Sequence, residues 1–491
     1  MKGIMIQGTH SDVGKSYITT ALCRYLANKG YNVAPFKSQN MSNNSYVTHD
    51  GLEIGRAQGT QAQAAKVLPE YYMNPILLKP KKDTASEVIL NGKVYKTIDG
   101  FKYTKEFTLT TGLNEVKKAL NIHQSKHDII VIEGAGSPAE VNLNDKEIVN
   151  MRIAETADVD VVLVVDIDRG GSFASVVGTL ELVFEHRKRI KGIIFNKFRG
   201  DINLLKDGLV WLEAYTNIKV LGVIPYLKDI HIETEDAQSE MIFKQKKGNL
   251  DIAVIHLERV SNNTDIEPFI YEEDVNIRII NNIKDFRSPD AIIIPGTKST
   301  IDDLLELKSN GIADEITAYI KNGGIVFGIC GGFQILGNKL IDPLNVDTNK
   351  TTTVKGLNIF NIDTTFNENK QVRNINAINI FNQKISGYEI HLGDTTYHNQ
   401  PHFSILEDNK IDGATFNNNQ VMGTYLHNVF HNDDFRNLWL NQVRKKAKKE
   451  LKQKINTSTK KEEDFDKLAK IFEKNIDISF LMQLINKWYI F

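Results

Sequence analysis

Gly8-Thr9-His10-Ser11-Asp12-Val13-Gly14-Lys15-Ser16 lies between an apolar run, Gly3–Gln7, and a segment of helical period, Lys15–Lys29. A glycine-rich loop leading from a first strand into a helix points backbone N–H groups at phosphate oxygens, and the helix N-terminus adds a favourable dipole. Gly14 lets backbone approach closely, Lys15 can reach the β and γ phosphates, and Ser16 can ligate Mg²⁺. Gly8, Thr9, Asp12, Gly14, Lys15 and Ser16 are therefore the candidate nucleotide-binding residues. Five residues separate Gly8 from Gly14, where the strict phosphate-loop pattern has four. A chance Gly-Lys-Ser turn is the bland reading, and the position directly after a first strand argues against it.

Further strands are expected at Ile129–Glu133, Val159–Asp166, Gly192–Asn196 and Lys219–Ile224, with a helix at Ser172–Phe184. The strands are mostly continuous apolar runs, the signature of strands covered on both faces, and alternation with helices implies a doubly wound α/β domain, which by its longer phosphate loop resembles the dethiobiotin synthetase-like ATPases. Ligands of such sheets collect at the carboxyl ends of the strands. Glu133 ends one and is a candidate Mg²⁺ ligand beside Ser16; a cap or turn role is its plain alternative. Asp50 and Glu53 are weaker metal candidates, while Asp166 and Asp168 fit metal, substrate or structure equally. Asn196 ends another strand, where its amide could read an adenine base.

The second half carries a different chemistry. Gly324–Gly328 reads as a strand, followed by Gly328-Ile329-Cys330-Gly331-Gly332 and a helix-compatible run. This is the layout of a nucleophile elbow. A thiol at a helix N-terminus is favoured as thiolate, and the Gly331 N–H, with a second donor from Pro295-Gly296-Thr297-Lys298, could hold an oxyanion. Gly296 and Gly331 are the oxyanion candidates. His427, after a strand at Val421–Tyr425, is the candidate base. The carboxylate expected two residues beyond it is replaced by Val429, so a Cys330–His427 dyad is expected. Cys23, among apolar neighbours in the first helix, reads as inert core. Gly387-Tyr388-Glu389-Ile390-His391-Leu392-Gly393 could line a glutamine channel or be a solvated strand.

Strands are also expected at Asp251–Leu257 and Ala291–Ile294, with antiparallel additions near Gly356–Phe360 and Gln371–Ile380. A polar linker is expected around 236–250. The resulting division is an ATP-dependent ligase domain at 1–240, a class I glutamine amidotransferase-like α/β domain at 250–437, and a helical tail of unknown role at 438–491. In that tail a solvated lysine-rich helix and a second helix docked by its apolar face are expected. The 491 residues carry a net charge of −1, which argues against a nucleic-acid partner, and two cysteines, too few for a disulfide framework. A reducing cytoplasm is the expected compartment, with no signal peptide and no membrane span.

Long motifs in sequence order now carry a resemblance: Ala34-Pro35-Phe36-Lys37-Ser38-Gln39-Asn40-Met41, Glu53-Ile54-Gly55-Arg56-Ala57-Gln58, Met73-Asn74-Pro75-Ile76-Leu77-Leu78-Lys79-Pro80, Glu133-Gly134-Ala135-Gly136-Ser137-Pro138-Ala139-Glu140, Asp166-Ile167-Asp168-Arg169-Gly170-Gly171, Asn196-Lys197-Phe198-Arg199-Gly200 and the Cys330 elbow. Over about residues 1–437 the chain resembles the cobyrinic/cobyric acid amidotransferases of cobalamin biosynthesis, and within that family the cobyric acid synthases. The resemblance implies a cytoplasmic enzyme using ATP, Mg²⁺ and glutamine to amidate the b, d, e and g carboxylates of adenosylcobyrinic acid a,c-diamide. The implied partners are small molecules: glutamine, ATP and a corrinoid. The glycine often found after the histidine is missing from His427-Asn428-Val429-Phe430. A sibling that amidates the a and c positions, another polycarboxylate amidotransferase, and a switch ATPase carrying a glutaminase-like binding module are the competing readings.

Overall fold

A computed structural model describes residues 2–82, 85–227, 229–232, 248–348 and 350–487. The linker expected around 236–250 and the terminal Trp488-Tyr489-Ile490-Phe491 lie largely or wholly outside these residues. The chain divides into two compact units, Met1–Thr234 with Lys461–Phe491, and Glu235–Lys460. Among the described residues no helix is long and apolar enough to cross a membrane.

The first unit is built on six parallel strands: β1 (Gly3–Gly8), β2 (Val33–Phe36), β3 (Ile129–Glu133), β4 (Asp160–Asp166), β5 (Ile190–Phe198) and β6 (Lys219–Pro225). Their order is β6-β5-β4-β1-β3-β2. Side chains alternate between two cores. Met5, Val161, Leu163 and Val165 enter one, while Ile4, Ile6, Val162 and Val164 enter the other. Both faces are thus covered, which explains the continuous apolar runs.

The core on the face of helix α1 (Lys15–Asn28) is completed from the far end of the sequence. Phe465, Leu468, Phe472, Leu481, Leu484 and Ile485 pack there with Leu22 and Leu26. Each such buried side chain contributes about 1.5–3 kcal/mol of transfer free energy before ordering costs. Arg24, 2% exposed, reaches Glu462 and Asp466 at 2.7 Å each. A buried guanidinium is tolerated because both carboxylates meet it.

The second unit holds β7 (Leu250–Ile255), β8 (Val275–Ile280), β9 (Ala291–Ile294), β10 (Ile325–Ile329), β11 (Ala414–Phe416) and β12 (Val421–Thr424), in the order β8-β7-β9-β10-β12-β11. Only the β11–β12 pairing is antiparallel. A long hairpin, Ile362–Asn379 with Lys384–Tyr397, forms a further sheet. Gly356–Phe360, expected as a strand, is a loop whose N–H groups at Leu357 and Phe360 bond to Ile335 and Leu336 carbonyls.

The tail boundary drawn at 437/438 also changes. Helix α2 (Asp433–Lys446) runs through it and buries Trp439, Leu440 and Val443 in the second unit's core. Its fully buried Arg436 and Arg444 meet Glu272 at 3.0 and 3.2 Å, and Arg444 meets Asp274 at 2.9 Å. Helices α3 (Thr457–Asn475) and α4 (Ile478–Asn486) follow, and from Lys461 the chain belongs to the first unit.

Candidate active sites

In the first unit the loop between β1 and α1 is pinned from the ends of neighbouring strands. Gly14 has φ of 97°, and a Cβ there would stand 2.1 Å from the Asn196 amide nitrogen. Conformation and space both require glycine. Asn196 donates to the Val13 carbonyl at 2.8 Å, so part of the amide expected to face a base is committed to bracing the loop. Lys197 joins in, donating to the Asp12 carbonyl at 2.5 Å and to Asp166 at 2.9 Å. The Thr9 N–H donates to the Val164 carbonyl at 3.0 Å, while its buried hydroxyl has no hydrogen-bond partner among the described residues. Gly8 ends β1, Asp12 lies within the turn with φ of 61°, and the Lys15 ammonium donates to the carbonyls of Gly136 and His10 at 3.0 and 3.2 Å. Those carbonyls hold the ammonium in the mouth of the loop, where phosphate oxygens could take their place.

Glu133, 1% exposed, accepts from the Ser16 hydroxyl at 2.8 Å, from Lys37 at 3.1 Å and from Gln61 at 2.5 Å. Burial opposes its charge, but the Lys37 ammonium and the hydrogen bonds of Gln61 and Ser16 prevail and hold the carboxyl below the usual range. The Ser16 and Glu133 oxygens converge as a hard, oxygen-only pair beside the loop, a donor set that suits Mg²⁺ completed by phosphate and water. Among the described residues no group of three or more His, Cys, Asp or Glu side chains forms a fuller cage. Sequence reasoning met Lys37 only inside a longer motif; its place after the last residue of β2, level with the end of β3, was the available signal.

The weaker metal candidates are otherwise engaged. Glu53 is buried, accepts from Ser45 at 2.6 Å and pairs with Lys79, and Asp50 accepts from the Thr48 hydroxyl. Asp166 is tied to Lys197 and to the Asp168 N–H, and Asp168 to Arg199 at 2.9 Å. Cys23 is fully buried, and burial pushes its thiol up, so it is inert as expected.

In the second unit Cys330 joins β10 to the short helix Gly331–Ile335. Its φ of 50° and ψ of −107° are strained for a residue with a side chain. Hydrogen bonds secure the elbow: the Cys330 N–H donates to Thr424 at 2.8 Å, and the Gln334 N–H to the Cys330 carbonyl at 3.1 Å. The helix that follows is only five residues long. The Cys330 Sγ lies 3.6 Å from the Ile390 carbonyl. The motif Gly387–Gly393 is therefore a strand that walls the thiol. Tyr388 pairs with His427 through both backbone groups and stacks on its ring at 5.2 Å.

His427 is completely buried. Its Nδ1 is 2.7 Å from Asp265 Oδ2, and the other carboxylate oxygen accepts the Asn428 N–H at 2.6 Å. The expected dyad is thus a triad whose carboxylate comes from Asn263–Tyr271, the helical turn after β7. No spacing rule connects residues 265 and 427; the hint was an aspartate in the polar run Ser261-Asn262-Asn263-Thr264-Asp265 at a strand's carboxyl end. Burial pushes the imidazole down, but Asp265 and then Cys330 outweigh it and raise it to about 10. Among the described residues its Nε2 has no partner at ordinary hydrogen-bond distance, and the Cys330 side chain is the second group that favours its charged form. Gly296 is against this pair: a side chain there would meet His427 Cε1 at 3.0 Å and Cys330 Cβ at 3.6 Å. The Gly331 position in turn touches Thr297. Both oxyanion candidates therefore flank the nucleophile.

Known proteins match both halves in this order. Residues 4–240 match the CobQ/CobB/MinD/ParA nucleotide binding domain, and residues 251–435 the CobB/CobQ-like glutamine amidotransferase domain. A cobyric acid synthase of Geobacillus sp. (strain WCH70) is 45% identical, with 99% of this chain and 98% of the relative aligned. Those of Clostridium novyi and Clostridium botulinum are each 46% identical, covering 99% of this chain and 98% and 99% of themselves. Identity at that level over nearly the whole length shows that the chain belongs to the cobyric acid synthase family and is a glutamine-hydrolysing amidotransferase.

Proposed function

We propose that the chain amidates the b, d, e and g carboxylates of adenosylcobyrinic acid a,c-diamide, using ATP and glutamine, to give adenosylcobyric acid in the cytoplasm. The observation that carries this reading is the buried Cys330–His427–Asp265 array in a chain that also carries the phosphate loop.

Cys330 Sγ attacks the glutamine carboxamide carbon, and N–H groups at Gly296 and Gly331 take up the oxyanion charge. The protonated His427, held by Asp265, gives its proton to the departing nitrogen, leaving ammonia and a γ-glutamyl thioester. His427 then takes a proton from water as it attacks the thioester, and glutamate leaves with Cys330 restored. The neighbouring Asp265 carboxylate keeps the imidazole charged for the first step against the opposing effect of burial.

In the other unit Lys15 stabilises negative charge on the transferring phosphoryl group, and Asn196 orients the base while bracing the loop. Ser16 and Glu133 would hold Mg²⁺, which when bound neutralises charge on the β and γ phosphate oxygens. Lys37 keeps Glu133 ionised for that task. A substrate carboxylate oxygen displaces ADP from the γ phosphorus, and ammonia then displaces phosphate from the acyl carbon.

Purified protein with ATP, glutamine and adenosylcobyrinic acid a,c-diamide is expected to produce four successive losses of about 1 Da as each acid becomes an amide, read by mass spectrometry. Amidation of cobyrinic acid at two positions, with none of the diamide, would assign the chain to the sibling reaction instead.

A further inference from the structure

Glu133 is held at both of its oxygens by side chains from three separate elements. Oε1 accepts the Ser16 hydroxyl at 2.8 Å and the Lys37 ammonium at 3.1 Å, and Oε2 accepts the Gln61 amide at 2.5 Å. An ionised carboxylate offers about four lone pairs and donates nothing, so the end of the amide that meets it is the NH₂. Among the described residues three of those lone pairs are taken, and the open one is on Oε2.

Gln61 is an expensive residue in that place. It is fully buried on the helix Arg56–Ala64, and its Oε1 has no hydrogen-bond partner among the described residues. A buried amide with one end unsatisfied opposes folding and calls for a reason. The helix that carries it is braced at its start and along its first turn. The Gly55 N–H donates to Asn74 Oδ1 at 2.9 Å, the Arg56 N–H to the Asn44 carbonyl at 3.1 Å, and the Asn40 amide to Gln58 Oε1 at 3.0 Å. Gln58 and Gln61 are three residues apart, neighbours on one helix face. The donor that meets Glu133 is therefore fixed from behind as well as in front.

We infer that Gln61 makes this site selective for Mg²⁺ over Ca²⁺, an inference that rests on the metal role proposed above for Glu133. Mg²⁺ keeps a strict octahedral shell and takes carboxylates through single oxygens, whereas Ca²⁺ gathers about six to eight oxygens and readily takes both from one carboxylate. With Ser16 and Lys37 on Oε1 and Gln61 on Oε2, Glu133 has one lone pair to give. Both oxygens can turn to the same ion only if a donor is given up, and each donor lost leaves a buried polar group unpaired. The arrangement meets what the smaller ion needs and withholds the second oxygen from the larger one. Without the Gln61 donor, Oε2 has two free lone pairs and the carboxylate can turn about its Oε1 contacts, which restores the two-oxygen mode. Gln61 acts through Glu133, as a positioning residue; hydrogen-bond partners of ligating carboxylates are known to tune metal affinity in this way.

The test reads metal binding itself, on the full chain with a non-hydrolysable ATP analogue. Calorimetric titration gives Mg²⁺ and Ca²⁺ affinities for the wild type, for Gln61→Met and Gln61→Leu, and for Gln63→Ala as a control on the same helix, with thermal melting of each protein before metal is added. The wild type is expected to prefer Mg²⁺ by about tenfold or more beyond the preference of the free analogue in solution. In both Gln61 variants Mg²⁺ affinity should fall about tenfold while Ca²⁺ affinity holds or rises, and the control should keep the wild-type ratio. A wild type with no preference beyond that of the free analogue overturns the inference whether or not the variants fold. An unchanged ratio in a Gln61 variant that melts cooperatively overturns it as well, and leaves Glu133 as a ligand. Undiminished Mg²⁺ affinity in Glu133→Gln would instead remove Glu133 from the metal site, and the role of Gln61 falls with it.

Discussion

Asp265 Oδ2 and His427 Nδ1 lie 2.7 Å apart, both buried, across 162 residues of sequence. That contact orients the ring and supplies the charge that keeps it protonated. Asp265→Asn should therefore lower glutaminase kcat by about a hundredfold or more, with a much smaller effect on glutamine KM. Ammonia-driven amidation should stay at the wild-type rate; a matching loss there would mean that Asp265 supports the fold rather than the base.

Cys330→Ala should reduce glutamine-driven amidation by at least about a thousandfold and leave ammonia-driven amidation intact. Parallel assays with glutamine and with ammonium chloride at alkaline pH separate the two. Loss of both would remove Cys330 from nitrogen delivery.

Lys15→Ala should lower ATP-dependent synthesis by about a thousandfold, while glutamine hydrolysis persists. Synthesis at the wild-type rate would deny the loop its phosphate role.

His427 also gives stability a pH signature. Its folded value, about 10, stands above the ordinary value of about 6.5. The contribution is thus complete below about pH 6.5 and drains away as pH rises toward 10. Melting temperature should fall across pH 7 to 10, and Asp265→Asn should flatten that slope. Equal slopes in the two proteins would assign the alkaline loss to other groups.

Arg24 predicts a purely structural effect. Glu462 and Asp466 are each about half exposed, so water softens the ion pairs even though the guanidinium is buried. Arg24→Ala should cost about 1–2 kcal/mol in denaturant unfolding of the first unit. It should also weaken nucleotide binding, because Arg24 lies on the helix that begins with Lys15 and Ser16. An unchanged unfolding midpoint would count against the two carboxylates as anchors.

The parallel sheets were legible wherever a strand is covered on both faces. Ile129–Glu133 and the stretch Asp160–Asp166 read as apolar blocks because both cores claim alternate residues. Two of the parallel strands escaped, for different reasons. Val33–Phe36 is short, contains Pro35 and lies at the sheet edge, the position where a strand proline is tolerated. Val275–Ile280, also an edge, alternates polar Asn276 and Arg278 with apolar partners. The positions of Cys330, the candidate nucleophile, of His427, the candidate base, and of the loop were readable because each is local: one turn, one strand end, one helix start. Asp265 was not, since its relation to His427 exists only after β7 and β12 take their places in the sheet. The tail boundary failed likewise, because the partners of Arg24 lie 442 residues away at Asp466 and on the same helix at Glu462.

That return of the chain sets a timetable for biosynthesis. A ribosome adds roughly 5–20 residues per second, and emerging domains fold as their sequences become complete. The glutaminase unit has everything it needs once residue 460 has left the exit tunnel, whereas its upstream neighbour still lacks Phe465, Phe472 and Leu484. The segment made first is therefore the one finished last. Until then it carries an open apolar face on α1, the kind of surface that chaperones hold and proteases find.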